Sequence, residues 1–184
     1  MSSSNNKADI EAKINAFISK EKESLLRRKS QSEQFLSYED FAALCKKLRA
    51  NWCDITGLNK VPHELWMACD LTLAICAVDM PTKVRILKRV FTEYGHSAGM
   101  KALRKVIVAI IEENPMIALT AATATAEAVA VLIGKGKPSI MSWTVVCAGL
   151  AVYFFCKGDN PYKISDKAER ALRDSVREVL HIQA

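Results

Sequence analysis

Two long apolar stretches near the end of the chain constrain its fold more than any other feature. Residues 116–134 contain one charged side chain, Glu127, and residues 139–156 contain none. Neither stretch alternates between polar and apolar residues as a half-buried strand would, and a short polar turn separates them. As helices of nineteen and eighteen residues they would span about 27–28 Å, close to the roughly 30 Å hydrocarbon core of a bilayer. The sequence therefore predicts an antiparallel hairpin of two apolar helices.

Aromatic and basic side chains lie near the ends of the second apolar stretch. Trp143 follows its start, and Tyr153 and Phe154 precede its end. This spacing would place aromatic rings at both lipid–water interfaces. Lys135 and Lys137 lie in the connecting turn, where their ammonium groups would form an interfacial or translocated tip. These positions predict that the hairpin inserts into a membrane.

The first apolar stretch carries small side chains at a four-residue spacing. They form a ridge that would let a neighbouring helix backbone approach closely. The ridge consists of Ala118, Ala122, Ala126 and Ala130. Glu127 lies on a polar stripe with two threonines, and an ionised carboxylate in mid-membrane costs roughly 3 kcal/mol or more. We therefore expect Glu127 to face a partner, line water or be protonated, as a pH- or partner-sensitive point.

The rest of the chain has apolar residues at helical spacing. A capping residue or a proline precedes each apolar stripe, and these predicted helix starts are Ser37, Pro62, Asp79, Ser97 and Ser165. Gly95 is expected to end one of these helices. No segment has the alternation of a strand. The predicted fold is all-α, a multi-helix bundle of about seven or eight helices with a hydrophobic helical hairpin near the C-terminus.

These patterns divide the chain into four parts. A polar tail covers 1–6, and an amphipathic helical bundle covers 7–115. The hydrophobic hairpin covers 116–157, and a C-terminal amphipathic helix covers 158–184. Within the bundle, the first helix is predicted to run to about residue 31 and a loop is predicted over 52–61. We further predict that Trp52 and Trp66 anchor the core.

Charge and cysteine usage narrow the functional classes. The chain carries 26 basic and 20 acidic side chains, a net charge of +6, with a single local cluster at Arg27, Arg28 and Lys29. We predict that this cluster is a solvated face. The sequence has no dense basic patch, which argues against nucleic acid as a partner. A weak attraction to anionic lipid fits the balance. Because no apolar signal segment precedes the six cysteines, we expect reduced thiols in a protein made in the cytoplasm.

Motifs of enzyme chemistry are incomplete in this sequence. His63 and Glu64 begin like a zinc-protease motif, but Met67 occupies the position of the second histidine ligand. The glycine- and lysine-rich turn before Ser139 has Pro138 where a phosphate-binding loop needs serine or threonine. We predict no catalytic, metal or cofactor site, and an enzyme would need histidine and acidic residues to converge from separate helices.

The order of elements over 98–157 resembles the pore-forming domains of colicin-type bacteriocins. A charged amphipathic helix is followed by Asn114-Pro115, an alanine- and threonine-rich helix, a short turn and an uncharged helix. The resemblance implies a water-soluble bundle that buries the hairpin, releases it into a membrane and then forms a voltage-dependent pore. The sequence has no counterpart of the family's receptor-binding and translocation regions. It also differs in its six cysteines and its longer final helix.

Two functions follow from these observations. The first is a membrane-active helical protein, a pore-forming toxin or membrane-targeted effector that associates with anionic lipids and is membrane-associated or moves from solution to membrane. The alternative is a soluble all-α module for protein–protein interaction. In that case the hairpin is a buried core, Glu127 is hydrogen-bonded inside it, and the terminal amphipathic helices bind a protein partner or a second copy of the chain.

Overall fold

The described residues form a helical protein. The structure is a computed structural model that describes residues 2–30, 33–113 and 161–182, and within these ranges it contains no strand. Its helices are α1 (Ser2–Leu26), α2 (Tyr38–Thr56), α3 (His63–Cys76), α4 (Met80–Glu113) and α5 (Pro161–Ile182). The all-α prediction is confirmed. The described ranges hold five helices, not seven or eight, and the predicted hairpin lies outside them.

One reason for the lower number is that α4 covers two predicted helices. The prediction separated 79–95 from 97–113, whereas the structure continues the helix through this point with a kink. Gly95 has φ 86° and ψ 172° there, a backbone conformation that only glycine adopts readily. Gly95 therefore interrupts the regular helix at the predicted position. It does so as a kink inside α4, and the prediction that the helix ends there is wrong.

Helix α3 lies at the centre of the core and packs chiefly against α5 and α4. Helix α2 packs against both α3 and α1, and α1 also contacts α5. The largest fully buried side chains come from all five helices and from the segment before α2. They are Trp52, Phe41, Ile14, Ile18, Leu36, Leu44, Leu48, Leu65, Leu87, Leu172 and Val90.

The start of α2 is set by a capping box. Ser37 Oγ accepts a hydrogen bond from the Asp40 backbone N–H, and Asp40 Oδ2 accepts one from the Ser37 N–H at 2.7 Å. Asp40 also pairs with Lys29 at 2.5 Å, so Lys29 is largely covered and does not belong to a solvated face.

The helix runs to Thr56 and ends at Gly57, with φ 69°. The Gly57 N–H donates to the carbonyl of Cys53 and caps the helix there. The prediction of a loop over 52–61 is therefore wrong for 52–56, which are helical.

A buried lysine joins α3 to α4. Asp79 caps α4 as predicted, since its Oδ1 accepts a hydrogen bond from the Thr82 N–H at 2.8 Å. One residue further on, Lys83 is only 4 % exposed. Its Nζ donates to the carbonyls of Ala74 and Ile75 at 3.0 and 2.9 Å, which satisfies acceptors that the end of α3 leaves free.

Both terminal helices differ from the prediction at their starts. Helix α1 begins at Ser2 and ends at Leu26, whereas the pattern predicted 7–31. Helix α5 begins at Pro161, because proline suits the first helical turn. Ser165 is therefore inside the helix and is not its cap. It is 3 % exposed, and its Oγ accepts a hydrogen bond from the Leu36 N–H at 3.0 Å.

Ion pairs fasten α5 to α1 along one side. Glu169 accepts from Lys22 at 2.5 Å and from Arg173 at 2.8 Å, and Arg173 also donates to Asn15 Oδ1 at 2.9 Å. Burial acts to raise the pKa of Glu169, but the hydrogen bonds and charges of Lys22 and Arg173 outweigh it and lower the pKa below its ordinary value. The carboxylate consequently stabilises the fold above the ordinary glutamate pKa of 4.5, and this contribution is lost as the pH falls through the lowered value.

Candidate functional site

The ten side chains predicted to mediate membrane insertion all lie outside the described residues. They belong to the segment 114–160, which the structure does not describe. The ten are Ala118, Ala122, Ala126, Glu127, Ala130, Lys135, Lys137, Trp143, Tyr153 and Phe154. Among the helices of the described ranges, none is long and apolar enough to cross a bilayer.

The two ends of segment 114–160 are held close together by the helices that flank it. Lys167, in the second turn of α5, donates to the carbonyl of Ala109 near the end of α4 at 3.1 Å. The same Lys167 Nζ lies 3.9 Å from a carboxylate oxygen of Glu112. The chain therefore leaves α4 and returns to α5 at one end of the helical bundle. We call this end the root of the segment.

An open groove of about 470 Å³ runs from the root along the boundary between α4 and α5. We call it the α4–α5 groove. Basic side chains from both helices form its walls, and small or aliphatic side chains lie between them. The lining residues are Ile75, Lys101, Arg104, Lys105, Val108, Ala109, Glu112, Lys167, Arg170, Ala171 and Asp174.

The basic residues of the groove differ in their partners. Lys101 and Lys105 pair with Glu178 of α5 at 2.7 and 3.3 Å. Burial acts to raise the pKa of Glu178, but Lys101 and Lys105 outweigh it and lower the pKa. Arg104 and Arg170 are exposed and make no ion pair with the described residues. Two guanidinium groups thus face this surface without a fixed carboxylate.

A second polar cluster lies in the part of α4 before the Gly95 kink, where Arg89 forms a bidentate pair with the buried Asp70 of α3. Burial raises the pKa of Asp70 and outweighs the opposing effect of Arg89. Burial also raises the pKa of Tyr94 to about 12, together with the nearby charges of Asp70 and Glu93. His63 is exposed and its ring centroid lies 4.6 Å from that of Tyr94. This cluster ties α3 to α4.

Three of the four cysteines in the described ranges are buried in the core. Cys45, Cys69 and Cys76 are buried, and the four cysteines of the described ranges are free thiols. A hydrogen bond shared with Cys69, together with burial, raises the pKa of the Cys45 thiol, and burial raises the pKa of Cys76 to about 12. Protonated thiols are poor nucleophiles and poor metal ligands. Within the described part of the chain, no cluster of three potential metal ligands occurs.

The two tryptophans of the described residues have different environments. Trp52 is fully buried, which confirms its prediction as a core anchor. Trp66 is 46 % exposed, and its prediction as a core anchor is wrong. Its ring lies under the guanidinium of Arg49, whose central carbon is 3.8 Å from the ring centroid.

Known proteins provide no relative from which a function could be transferred. No protein-family model matches the chain, and no curated protein or solved structure is similar to it. The resemblance of 98–157 to the colicin-type pore-forming domains therefore rests on the order of elements in the sequence alone.

Proposed function

We propose that this chain is a membrane-active helical protein whose residues 116–156 insert into a bilayer as a hydrophobic hairpin. The helices α1–α5 are the scaffold that carries it. The result of insertion is permeabilisation, as by a pore-forming toxin, or tethering of an effector to the membrane. Anionic lipids are the preferred surface, because the chain carries a net charge of +6.

The closeness of the two ends of segment 114–160 is the observation that carries this proposal. An antiparallel pair of membrane helices starts and finishes on the same side of the bilayer, so its two flanking elements must meet there. Lys167 brings the end of α4 and the start of α5 together through Ala109 and Glu112. The apolar composition of 116–134 and 139–156 supplies the length and hydrophobicity that two such helices need.

Each predicted insertion residue has a role in this proposal. Trp143, Tyr153 and Phe154 anchor the second helix at the interfaces. The alanine ridge of the first helix, from Ala118 to Ala130, packs against the second helix. Glu127 is the polar point that responds to pH or to a partner. The two lysines of the turn, Lys135 and Lys137, form the tip.

The alternative, a soluble interaction module, finds less support in the described helices. It would use the apolar faces of the terminal helices to bind a partner, and these faces are packed in the core. The buried residues of α5 include Ala168, Leu172, Val176, Val179 and Leu180, and those of α1 include Ile14 and Ile18. Deleting 116–156 separates the two functions. A folded, soluble remainder supports the membrane function, whereas unfolding of the whole chain supports the module.

Release of a trapped dye from anionic vesicles tests the proposal, with full-length protein titrated from neutral to mildly acidic pH. We expect release that increases as the pH falls, because protonation would remove the charge that opposes entry of Glu127 into the hydrocarbon. The variant E169Q breaks the Glu169 pairs at all pH values and is expected to raise release at neutral pH. Binding without release at every pH would indicate a membrane anchor, and no binding at all would contradict the proposal.

A further inference from the structure

We propose that the α4–α5 groove binds the phosphate group of an anionic phospholipid headgroup. This inference rests on the proposed membrane function and names the lipid contact that accompanies it. A bound headgroup at this position would hold the helical scaffold against the membrane surface, beside the root from which segment 114–160 leaves and returns.

The charge of the groove selects an anion. Five of its lining side chains are basic and two are acidic, which gives a net charge of +3. The acidic residues are Glu112 and Asp174, and Glu112 lies 3.9 Å from Lys167 and partly neutralises it. Lys101 and Lys105 are already paired with Glu178, but Arg104 and Arg170 form no ion pair with a described carboxylate.

Arginine at both walls points to phosphate as the group that binds. A guanidinium offers several N–H donors in a plane and binds phosphate oxygens in a bidentate manner. Arg104 comes from α4 and Arg170 comes from α5, so one phosphate between the helices would be approached from two sides. The lysines are ordered by existing contacts, since Lys101 and Lys105 are held by Glu178. They add positive charge without needing to be rearranged.

The apolar part of the groove distinguishes a lipid from a small inorganic anion. Val108 is 44 % exposed, and with Ala109 and Ala171 it provides an apolar surface among the basic side chains. The glycerol and the first methylene groups of a phospholipid would cover this surface, whereas free phosphate would leave it in water. At about 470 Å³, the groove has room for a headgroup.

The groove also lies where the proposed function needs a lipid. Its lining reaches Glu112, one residue before the end of α4, and Lys167, in the second turn of α5. A headgroup held there would be next to both ends of segment 114–160. Basic side chains at this point would meet the negative surface of an anionic membrane first, and the attraction would weaken as salt is added.

A titration without a bilayer tests this site separately from insertion. The full-length protein is titrated by calorimetry with a short-chain phosphatidylglycerol below its micelle concentration, and in parallel with inorganic phosphate. We expect the short-chain lipid to bind more tightly than phosphate. The double variant R104Q/R170Q should lose at least about tenfold in affinity for the lipid, because two charge-assisted contacts are removed.

Matched variants make the result specific to the groove. R28Q/R85Q removes the same charge from two exposed arginines outside the groove and should change the affinity less than about twofold. R104K/R170K keeps the charge but loses the planar donors, and an intermediate affinity is expected. Circular dichroism of each variant confirms that it is folded, which is expected because all four arginines are exposed.

Three outcomes would overturn the inference. They are no binding of the short-chain lipid, equal affinities for lipid and inorganic phosphate, or equal losses in R104Q/R170Q and R28Q/R85Q. These results are independent of the proposed function. Dye release by a protein whose groove binds no lipid would contradict this inference alone. Headgroup binding by a protein whose residues 116–156 never insert into vesicles would contradict the proposed function alone.

Discussion

Replacing Ala148 by lysine is expected to abolish the membrane activity of this chain. Ala148 lies in the middle of 139–156, the stretch without a charged side chain. A lysine at the centre of a membrane helix costs about 3 kcal/mol, which corresponds to about a hundredfold loss in the inserted population. Dye release from anionic vesicles by A148K should therefore fall by about two orders of magnitude relative to wild type.

The control for this variant is the same substitution on the scaffold. Ala16 is exposed on α1, so A16K adds an identical charge without disturbing the buried face of that helix. We expect A16K to release dye at the wild-type rate or slightly faster, because the added positive charge attracts anionic lipid. If A148K released dye as well as A16K, residues 139–156 would not be crossing the bilayer.

Replacing Trp52 by alanine is expected to cost about 3–5 kcal/mol of the free energy of unfolding. Trp52, on α2, is fully buried in the hydrophobic core. The loss combines the transfer free energy of a large aromatic ring with the cavity it leaves behind. Since most domains are stable by only about 5–15 kcal/mol, this loss is a large fraction of the total stability. Urea unfolding followed by circular dichroism measures the change.

Two other tryptophan variants show whether this loss is due to buried volume. The indole Nε1–H of Trp52 has no hydrogen-bond partner among the described residues. W52F therefore removes ring volume but none of the described hydrogen bonds, and it should cost less than W52A. Trp66 is 46 % exposed over Arg49, and W66A should cost about 1 kcal/mol or less. Equal losses in W52A and W66A would contradict the assignment of Trp52, and not Trp66, to the core.

Local sequence signals predicted those features of the fold that depend on a few neighbouring residues. Ser37 with Asp40, and Asp79 before Pro81, marked helix starts because the side chain and the amide it caps are three residues apart. The apolar stripes of α2 and α5 were predicted because both helices have a polar face that fixes which residues point inward. Phe41 and Leu172 are fully buried accordingly.

The exposure of Trp66 could not be predicted in this way. Helix α3 is apolar on nearly every side, and it is surrounded by α2, α4 and α5. A helix without a polar stripe gives no indication of which apolar residue faces solvent. The packing of the other helices leaves Trp66 at the surface while Leu65 is fully buried. Only the arrangement of neighbours decides this.

Contacts between distant residues account for the other differences. Ser165 resembles a cap in sequence, but its hydroxyl is taken by the backbone of Leu36, 129 residues away. Lys83 resembles a surface residue, but it closes the end of α3 through two carbonyls. The α4–α5 groove likewise brings Arg104 and Arg170 together from two helices that are separated by segment 114–160. No periodicity or motif in the sequence predicts such contacts.

The depth of Trp143 in a bilayer shows whether the hairpin inserts. Full-length protein is added to anionic vesicles whose acyl chains carry bromine at defined depths, and fluorescence quenching is compared between wild type and W143F. The difference isolates Trp143, because Trp52 and Trp66 are present in both proteins. We predict that bromine near the interface quenches the difference signal and that this quenching disappears in A148K. A Trp143 signal that no brominated lipid quenches would contradict insertion of the hairpin.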